Sequence, residues 1–438
     1  MDSPMNIPDP ISRRRFLSQS ARFSLSLPLL SPTLIARTLN AERPLRFPDT
    51  PEWVVEARKR IPSAGVSKNF QTAGIGPSST LAINELTSKL IYQNRFGPTD
   101  PRQSDMALIE PTLRMHLADA FGANADEVAL THSTSEGINI ASWSLNWKEG
   151  DEIVISNQEH PANIVPWYNL RDRFGIVIRE IDLGIGTELV PEVERQLTDR
   201  TRMVSISHVS RNNGRALRTE HSADLAVRLQ SRGVVFHLDG AQGPGCIPVD
   251  FHELGSDCYS TCGHKWLLGP KGTGAFFVRK EHLDHTLMSW TGSHSHDEFD
   301  YEGHFTLKDE ASRFEFGTRA LADFAGFDVA ITWVESLGLQ RILERIRELG
   351  EYAIEKANEM NGFGFSSPPD KRDRSGIFVL RLPEGCSSWD VYYKLRDEDY
   401  IHTSPVRADR DLRLALHFFN TTDEIDESFK IIQRYSRA

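Results

Sequence analysis

An aspartate and a lysine, each near the end of an apolar strand, are the residues of this chain best suited to chemistry. Residues 234–238 predict a strand that stops at Asp239, and residues 258–262 predict another that leads to Lys265. A lysine there can form a Schiff base with an aldehyde cofactor, and a neighbouring carboxylate can keep a pyridine nitrogen protonated. The pair predicts chemistry based on pyridoxal phosphate, with both residues catalytic.

Gln242 and His264 extend this pair to four residues, whose order and spacing resemble the class V aminotransferase family. That family includes cysteine desulfurases and isopenicillin N epimerase. The resemblance implies that Lys265 binds the cofactor covalently and that Asp239 pairs with its pyridine nitrogen. It further implies that Gln242 approaches the phenolic oxygen and that His264 binds the phosphate. A charge-assisted hydrogen bond of about 1.5–3 kcal/mol would favour the protonated ring.

Two segments after the predicted strands match further motifs of the family. Residues 131–139 open a helix with hydroxyl side chains, and free N–H groups at a helix N-terminus bind phosphate. We expect Thr134 and Ser135 to be phosphate ligands, with ordinary helix capping as the alternative. Residues 159–163 read Glu-His-Pro-Ala-Asn, and in the family this histidine stacks on the pyridine ring. His160 is therefore expected to bind the cofactor and to move protons.

Residues 313–318 resemble a turn of the family whose glycine and threonine reach the cofactor phosphate of the partner subunit. The resemblance implies that Gly317 and Thr318 bind the cofactor across an interface. A homodimer with shared active sites follows from it.

Two arginines are expected to bind substrate. Residues 413–421 resemble the family's closing strand, in which Arg413 clamps the substrate α-carboxylate, a group that guanidinium geometry suits. A surface salt bridge is the alternative for Arg413. Arg211 lies where desulfurases have a Ser-Asn segment, and we expect it to meet a second acidic group of the substrate.

The chain departs from cysteine desulfurases where those enzymes carry a nucleophilic cysteine. Residues 399–411 contain no cysteine, and Cys386 lies upstream of the predicted helix over 388–396. Persulfide chemistry needs a thiolate at the substrate, so we expect none here. Cys262 also stands where relatives usually have a phosphate-binding Ser or Thr.

Composition narrows the class of protein. With 438 residues and 39% hydrophobic residues, the chain is long enough for two domains. The formal net charge of -11 argues against nucleic-acid binding, which needs a basic surface. Two histidines and an aspartate lie close together over residues 294–297, but the polar surroundings predict a solvated loop, and we expect no metal.

The N-terminus differs from the rest of the chain. Residues 12–18 read Ser-Arg-Arg-Arg-Phe-Leu-Ser and precede an apolar stretch without acidic residues. This pattern resembles a twin-arginine export signal, predicted over residues 1–36, with a basic tail as the alternative. The protein is expected to be exported or periplasmic, and we expect no membrane segment after the signal is removed.

The order of predicted elements indicates an α/β fold. An irregular N-terminal arm is expected over residues 37–77. A large domain with a mostly parallel sheet is expected over 78–318, and a smaller α+β domain over 319–438. Ligands should lie beyond the carboxyl ends of the parallel strands. Strands are predicted at 127–131, 152–156, 176–181, 203–209, 234–238, 258–262, 274–278, 376–382 and 412–417, and helices at 136–145, 164–173, 191–197, 223–231, 320–337, 339–358, 388–396 and 423–435.

These observations predict a fold-type-I pyridoxal phosphate enzyme that acts at the α-carbon of an amino acid or small amine. An aminotransferase or an epimerase of the isopenicillin N epimerase type is the first expectation. Elimination by a C–S lyase without a persulfide cysteine is the second. An exported binding protein without turnover is a third, and the intact Asp239, His264 and Lys265 argue against it.

Overall fold

The computed structural model describes residues 50–96, 100–406 and 409–436. These residues belong to one compact unit. The expected export signal lies outside them, as does the first part of the arm. Within the described residues, no helix is both long and apolar enough to cross a membrane.

The elements, numbered over the described residues, are as follows. The strands are β1 (Lys68–Asn69), β2 (Val128–Thr131), β3 (Glu152–Ser156), β4 (Val177–Ile181), β5 (Thr201–Ser207), β6 (Val235–Asp239), β7 (Cys258–Cys262), β8 (Gly274–Val278), β9 (His296–Phe299), β10 (Phe305–Leu307), β11 (Gly364–Phe365), β12 (Ile377–Arg381), β13 (Ile401–His402), β14 (Ser404–Pro405) and β15 (Asp411–Ala415). The helices are α1 (Glu52–Arg58), α2 (Thr80–Arg95), α3 (Ile109–Phe121), α4 (Thr134–Ser142), α5 (Val165–Phe174), α6 (Leu189–Glu194), α7 (Thr219–Gln230), α8 (Phe251–Leu254), α9 (Lys280–Leu283), α10 (Leu321–Leu337), α11 (Leu339–Glu359), α12 (Ser388–Glu398) and α13 (Thr422–Tyr435).

A seven-stranded sheet forms the centre of the fold, in the order β2-β8-β7-β6-β5-β3-β4. The neighbours from β7 to β4 pair in parallel, while β8 runs antiparallel to both β7 and β2. Strands β3, β6, β7 and β8 are buried along their whole length, as expected for a sheet covered on both faces. The predicted α/β fold with a mostly parallel sheet is confirmed.

Alternate residues of the central strands pack into two different cores. Phe236 of β6 packs with Phe121 and Phe277 in one core, whereas its neighbour Val235 packs with Trp167 and Leu170 in the other. This alternation follows from the two-residue period of a strand. The central strands are held from both faces, which fixes the positions of their carboxyl ends.

A second, antiparallel sheet has the order β11-β12-β15-β14. Helices α11, α12 and α13 pack beside it, and the core between them contains Leu349, Leu395, Leu414 and Phe429. Helix α10 instead packs against α2 and α3, and its Phe324 and Phe327 lie in the core of the large sheet. The predicted domain borders remain predictions.

The segment before residue 78 is more regular than expected. The prediction of an irregular arm is wrong over Glu52–Arg58, which forms α1, and over Lys68–Asn69, which forms β1 and pairs in parallel with β13. Burial explains the difference, because Val54 of α1 and Phe70 after β1 are completely buried. Helices α2 and α3 were not predicted, because their apolar residues are not confined to one buried face: Ile83, Leu90 and Ile91 of α2 and Met115 of α3 are exposed.

Candidate active site

A cavity of about 390 Å³ lies beyond the carboxyl ends of β5, β6 and β7. Ser207, Asp239 and Cys262, the last residues of these three strands, all line it. The structure brings nine of the predicted site residues to its wall. They are Thr134, Ser135, His160, Arg211, Asp239, Gln242, His264, Lys265 and Arg413.

Asp239 is a buried carboxylate at the floor of the cavity, with 4% of its surface exposed. Its Oδ1 accepts a hydrogen bond of 2.9 Å from the Ala241 N–H. Burial raises the pKa of Asp239, whereas that hydrogen bond and the positive charge of Lys265 lower it. A cationic ring nitrogen placed against this carboxylate would supply the partner that a buried charge requires.

Lys265 lies on the turn that follows β7, and this turn packs tightly against the N-terminal segment. The Gly76 N–H donates to the His264 carbonyl at 2.8 Å, and a Cβ on Gly76 would lie 2.2 Å from the Lys265 carbonyl oxygen. Only glycine fits at this close approach. Lys265 is the only lysine among the described residues that line the cavity, whereas Lys271 is exposed.

Gln242 connects three parts of the chain through its amide. Its Nε2 donates to the Ala73 carbonyl at 2.9 Å, and its Oε1 accepts from the Trp266 indole at 2.7 Å. These bonds hold the lysine turn and the N-terminal segment around the cavity. The expected contact of Gln242 with a phenolic oxygen remains a prediction, for which the second amide hydrogen would be the donor.

The first turn of α4 has the properties of a phosphate site. Ser133 caps the helix by accepting the Glu136 N–H at 3.3 Å, so the expected alternative of a helix cap is also present. Thr134 Oγ1 and His264 Nδ1 are buried without a conventional hydrogen-bond partner, although the Cys262 thiol lies against Thr134. Orphaned polar atoms beside a helix N-terminus fit an anionic group.

His160 lines the cavity, and part of its surface is exposed to solvent. Its Nδ1 accepts the Ala162 N–H at 3.1 Å, which leaves Nε2 as the protonated nitrogen. Burial, together with the positive charges of Lys265, Arg211 and Arg413, lowers the pKa of His160 to about 4. A flat neutral imidazole suits the expected place above a cationic ring.

Glu159, one residue before His160, has a role that sequence reasoning missed. Its buried carboxylate accepts hydrogen bonds from the hydroxyls of Ser156 and Ser207, from the Ser207 N–H at 2.9 Å, and from Asn163 Nδ2 at 2.7 Å. It therefore joins the ends of β3 and β5 and positions the turn that carries His160. The motif contains Glu159, but the sequence alone does not show that the side chain points inward.

A second polar layer lies beneath the floor of the cavity. Ser205 Oγ is 2.8 Å from His237 Nδ1, and His237 Nε2 is 2.8 Å from Ser260 Oγ. The Ser205 hydroxyl donates to Asn163 Oδ1 at 2.7 Å, so its oxygen must accept from His237 Nδ1–H. His237 is completely buried, and burial lowers its pKa to about 3, which keeps the ring neutral.

Arg413 and Gln71 lie together in the cavity wall. Arg413 is 3% exposed, which excludes the alternative of a surface salt bridge. Its guanidinium donates to Gln71 Oε1 at 2.9 Å and to the Arg211 carbonyl at 3.4 Å, while its Nε is buried without a partner. Sequence reasoning missed Gln71, because nothing in its local sequence indicates that it meets a strand more than 300 residues away.

Gly317 and Thr318 are the two predicted site residues that do not line the cavity of their own chain. Thr318 is exposed. The turn that carries them is anchored by Glu315, whose Oε1 accepts the Leu130 N–H at 2.7 Å and which pairs with Arg114. Their expected contact with a partner subunit's cofactor remains a prediction.

Of the four described cysteines, only Cys262 lines the cavity. Cys386 lies outside the cavity, and its Sγ donates to the Ser436 carbonyl at 3.0 Å. Cys262 lines the cavity beside Thr134, and burial raises the pKa of its thiol. No cluster of three metal-binding side chains occurs in the described parts of the chain.

The fold and the site together define a pyridoxal phosphate enzyme of fold type I. The family model for aminotransferase class-V matches residues 99–427, and the chain belongs to this family. Family members use pyridoxal phosphate, and the orphaned Thr134 and His264 atoms, the buried Asp239 and the single lysine fit that cofactor.

Known proteins resemble the chain over most of its length. A probable cysteine desulfurase from Halalkalibacterium halodurans is 30% identical over 329 residues, which cover 71% of this chain and 78% of that protein. The cystine C–S lyase C-DES, solved with cysteine persulfide, covers 86% of this chain at 24% identity with a TM-score of 0.80, and 99% of its own chain is matched. Another C-DES structure carries glycine linked to its pyridoxal phosphate cofactor. A cysteine desulfurase from Thermococcus onnurineus NA1 covers 89% of this chain and 98% of its own, at 22% identity and a TM-score of 0.80.

Proposed function

We propose that this enzyme cleaves the bond between Cβ and sulfur in an amino acid by elimination, as a C–S lyase that forms no persulfide on its own chain. One observation carries the proposal. The cavity brings together Lys265, Asp239 and Arg413, whereas Cys386 lies outside it and bonds to Ser436. The relative named a probable cysteine desulfurase supports a sulfur-containing amino acid. The isopenicillin N epimerase type is not proposed, because relatives at 30–33% identity are named probable cysteine desulfurases.

Arg413 is the residue placed to hold the substrate carboxylate. Gln71 and the Arg211 carbonyl hold two of its nitrogens, so the guanidinium plane is fixed before the substrate binds. The buried Nε without a partner leaves a donor for a carboxylate oxygen. Fixing the carboxylate in this way directs the substrate amine and Cα toward Lys265.

Lys265 and Asp239 have different roles in the proposed elimination. Bound pyridoxal phosphate supplies an electron sink for the Cα carbanion, and Asp239 favours the protonated ring that this requires. Lys265 Nζ would be the base that takes the Cα proton and later returns a proton to the product. The electrons of the Cα–H bond form a Cα–Cβ double bond as the Cβ–S bond breaks and its electrons leave with sulfur.

The overall reaction balances without an oxidant. A β-thio-substituted amino acid and one water give a thiol, pyruvate and ammonium. Transamination would instead give a keto acid that keeps its sulfur, and epimerisation would change only chirality. The three outcomes share Lys265 and Asp239, so product analysis separates them.

Two measurements test the proposal. Borohydride reduction of the purified holoenzyme followed by peptide mapping should label Lys265, and a label on Lys271 would contradict the assignment. A panel of sulfur-containing amino acids should release thiol, pyruvate and ammonia together. Keto acid without thiol, or loss of chirality alone, would identify a transaminase or an epimerase.

A matched pair of variants tests the absence of persulfide chemistry. Cys386→Ala should keep the rate of thiol release within about twofold of wild type, because the residue lies outside the cavity. Lys265→Ala should lose turnover. Thiol or sulfide release that disappears in Cys386→Ala, while the cofactor stays bound, would show that Cys386 reaches the substrate.

A further inference from the structure

Trp266, the residue that follows Lys265, is held at both its side chain and its main chain. It is 1% exposed, and a Cβ on Gly376 would lie 2.6 Å from two carbons of the indole ring. A Cβ on Gly245 would lie 2.6 Å from the Trp266 carbonyl oxygen. Only glycine permits such close approaches, so the chain packs Trp266 into one position beside the lysine turn.

His417 fixes the Trp266 main chain with a hydrogen bond of known direction. Its Nδ1 accepts the Phe418 N–H at 2.7 Å, so the ring proton lies on Nε2, which donates to the Trp266 carbonyl at 2.9 Å. His417 is completely buried, and burial lowers its pKa to about 4, which keeps the ring neutral. Because His417 follows β15, this bond ties the strand that carries Arg413 to the turn that carries Lys265.

The Gln242 amide is oriented by two partners of opposite kind. The Trp266 indole N–H can only donate, and it bonds to Oε1 at 2.7 Å. The Ala73 carbonyl can only accept, and it bonds to Nε2 at 2.9 Å. A flipped amide would place N–H against N–H and oxygen against oxygen. The two bonds therefore allow a single orientation of the Gln242 side chain, which is 5% exposed.

This orientation leaves one N–H of Gln242 for a ligand. Among the described residues, Ala73 is the acceptor bonded to Nε2, and an amide nitrogen carries two hydrogens. Gln242 lines the cavity, whereas Trp266 is not among the residues of its wall. The phenolic oxygen of the cofactor is the acceptor expected for the second N–H. Any effect of the Trp266 indole on the cofactor must therefore pass through Gln242.

We propose that Trp266 is a positioning residue for the cofactor, because its indole N–H fixes the Gln242 amide so that the second amide N–H meets the phenolic oxygen. His417 and Gly376 hold Trp266 and so link the smaller sheet to this contact. The inference shares the bound cofactor with the proposed function and rests on the expected place of Gln242. It does not depend on which bond of the substrate is broken.

The test follows the absorbance of the bound cofactor against pH, without turnover. Trp266→Phe keeps a buried aromatic ring and removes the indole N–H. An N–H donated to the phenolic oxygen favours the deprotonated form of the bound cofactor, in which that oxygen carries its full negative charge. Loss of the fixed amide should therefore raise the pKa of the bound cofactor by on the order of half to one pH unit. Gln242→Ala should raise it by at least as much.

Trp147→Phe is the matched control. Trp147 is 6% exposed and outside the cavity wall, and its indole donates to the Ser142 carbonyl at 2.7 Å. The substitution removes a buried indole bond of the same length and should leave the pKa of the bound cofactor unchanged. All variants keep the charged side chains and histidines of the cavity wall, which are His160, Arg211, Asp239, His264, Lys265 and Arg413.

A double variant separates positioning from a general loss of packing. In the Gln242→Ala background, Trp266→Phe should add no further shift, because the amide through which Trp266 acts is gone. If Trp266→Phe fails to fold, benzothienylalanine incorporated at position 266 removes the same N–H and keeps the two-ring shape. An unchanged pKa of the cofactor in that protein, or additive shifts in the double variant, would overturn the inference.

Two further outcomes are distinct from these. An equal shift in Trp147→Phe would also overturn the inference, since the shift would then report buried packing and not the Gln242 amide. Failure of the proposed function would look different. A holoenzyme that transaminates its substrate, and whose cofactor pKa still rises in Trp266→Phe, would refute the lyase proposal and leave the role of Trp266 standing.

Discussion

The imidazole of His237 bridges Ser205 and Ser260 with two hydrogen bonds of 2.8 Å, two residues before Asp239 on the same strand. Residues two apart on a strand face the same side of the sheet, so this bridge lies directly beneath the residue that faces the cofactor ring. The register of the parallel strands β5 and β6 agrees with this placement, because Ser205 pairs with His237 and Ser207 pairs with Asp239. Three strands are thus tied together by side chains under the cavity.

Replacing His237 with leucine should destabilise the protein by about 2–4 kcal/mol, because it leaves the Ser205 and Ser260 hydroxyls buried without partners. Denaturant unfolding of the holoenzyme at pH 7.5 measures this. His221→Leu, on the exposed side of α7, is the matched control and should change stability by no more than about 0.5 kcal/mol. Equal effects of the two substitutions would contradict the bridge.

The same histidine should make stability depend on pH. The pKa of His237 is lowered by burial from 6.5 to about 3, so the folded state keeps the ring neutral while the unfolded state binds a proton below pH 6.5. Stability is therefore fully present above pH 6.5 and is lost as the pH falls toward 3, by up to about 1.4 kcal/mol per pH unit. His237→Leu should show a shallower loss between pH 6.5 and 4, and parallel curves would refute this.

Glu315 should be important for the turn that carries Gly317 and Thr318. Its carboxylate is 5% exposed and pairs with Arg114 and Arg319. Glu315→Gln removes the nearest counter-charge of both arginines, leaving the more distant Glu110, and should destabilise the protein by about 3–5 kcal/mol. Glu359→Gln removes an exposed pair with Lys356 and should cost less than about 1 kcal/mol. Similar losses of unfolding free energy in the two variants would show that the burial of Glu315 does not strengthen its ion pairs.

Active sites shared between subunits should show complementation. Thr318→Asp would place a negative charge beside the partner's phosphate, and Lys265→Ala removes the lysine of its own site. Each variant alone should be inactive. Randomly mixed subunits should recover about a quarter of wild-type activity, since half of the dimers are hybrids with one intact site. Hybrid dimers that form without any activity would show that Thr318 serves its own chain.

Export should depend on the arginine pair near the N-terminus, which lies outside the described residues. Replacing Arg13 and Arg14 with lysine should keep the protein in the cytoplasm, because the twin-arginine signal requires that pair. Cell fractionation and immunoblotting measure the distribution. Arg95→Lys in α2 makes the same exchange far from the signal, so it is the matched control and should leave export unchanged. An unchanged periplasmic yield in the double variant would count against the signal.

The strands of the large sheet were predictable because each is a short apolar run bounded by turn residues. The bounds of β3, β7 and β8 match the prediction to the residue. The chemistry was predictable because Asp239 and Lys265 follow two of these runs, and parallel strands bring their carboxyl ends to one edge. Local pattern and family motif therefore identified the floor of the site.

The walls of the site depended on contacts between distant parts of the chain. Gln71 meets Arg413 across more than 300 residues, Gln242 joins Ala73 to Trp266, and Glu159 turns inward to join β3 and β5. No local periodicity encodes such contacts. They form only when burial removes water from polar groups, which must then find partners in whatever segment has been packed against them.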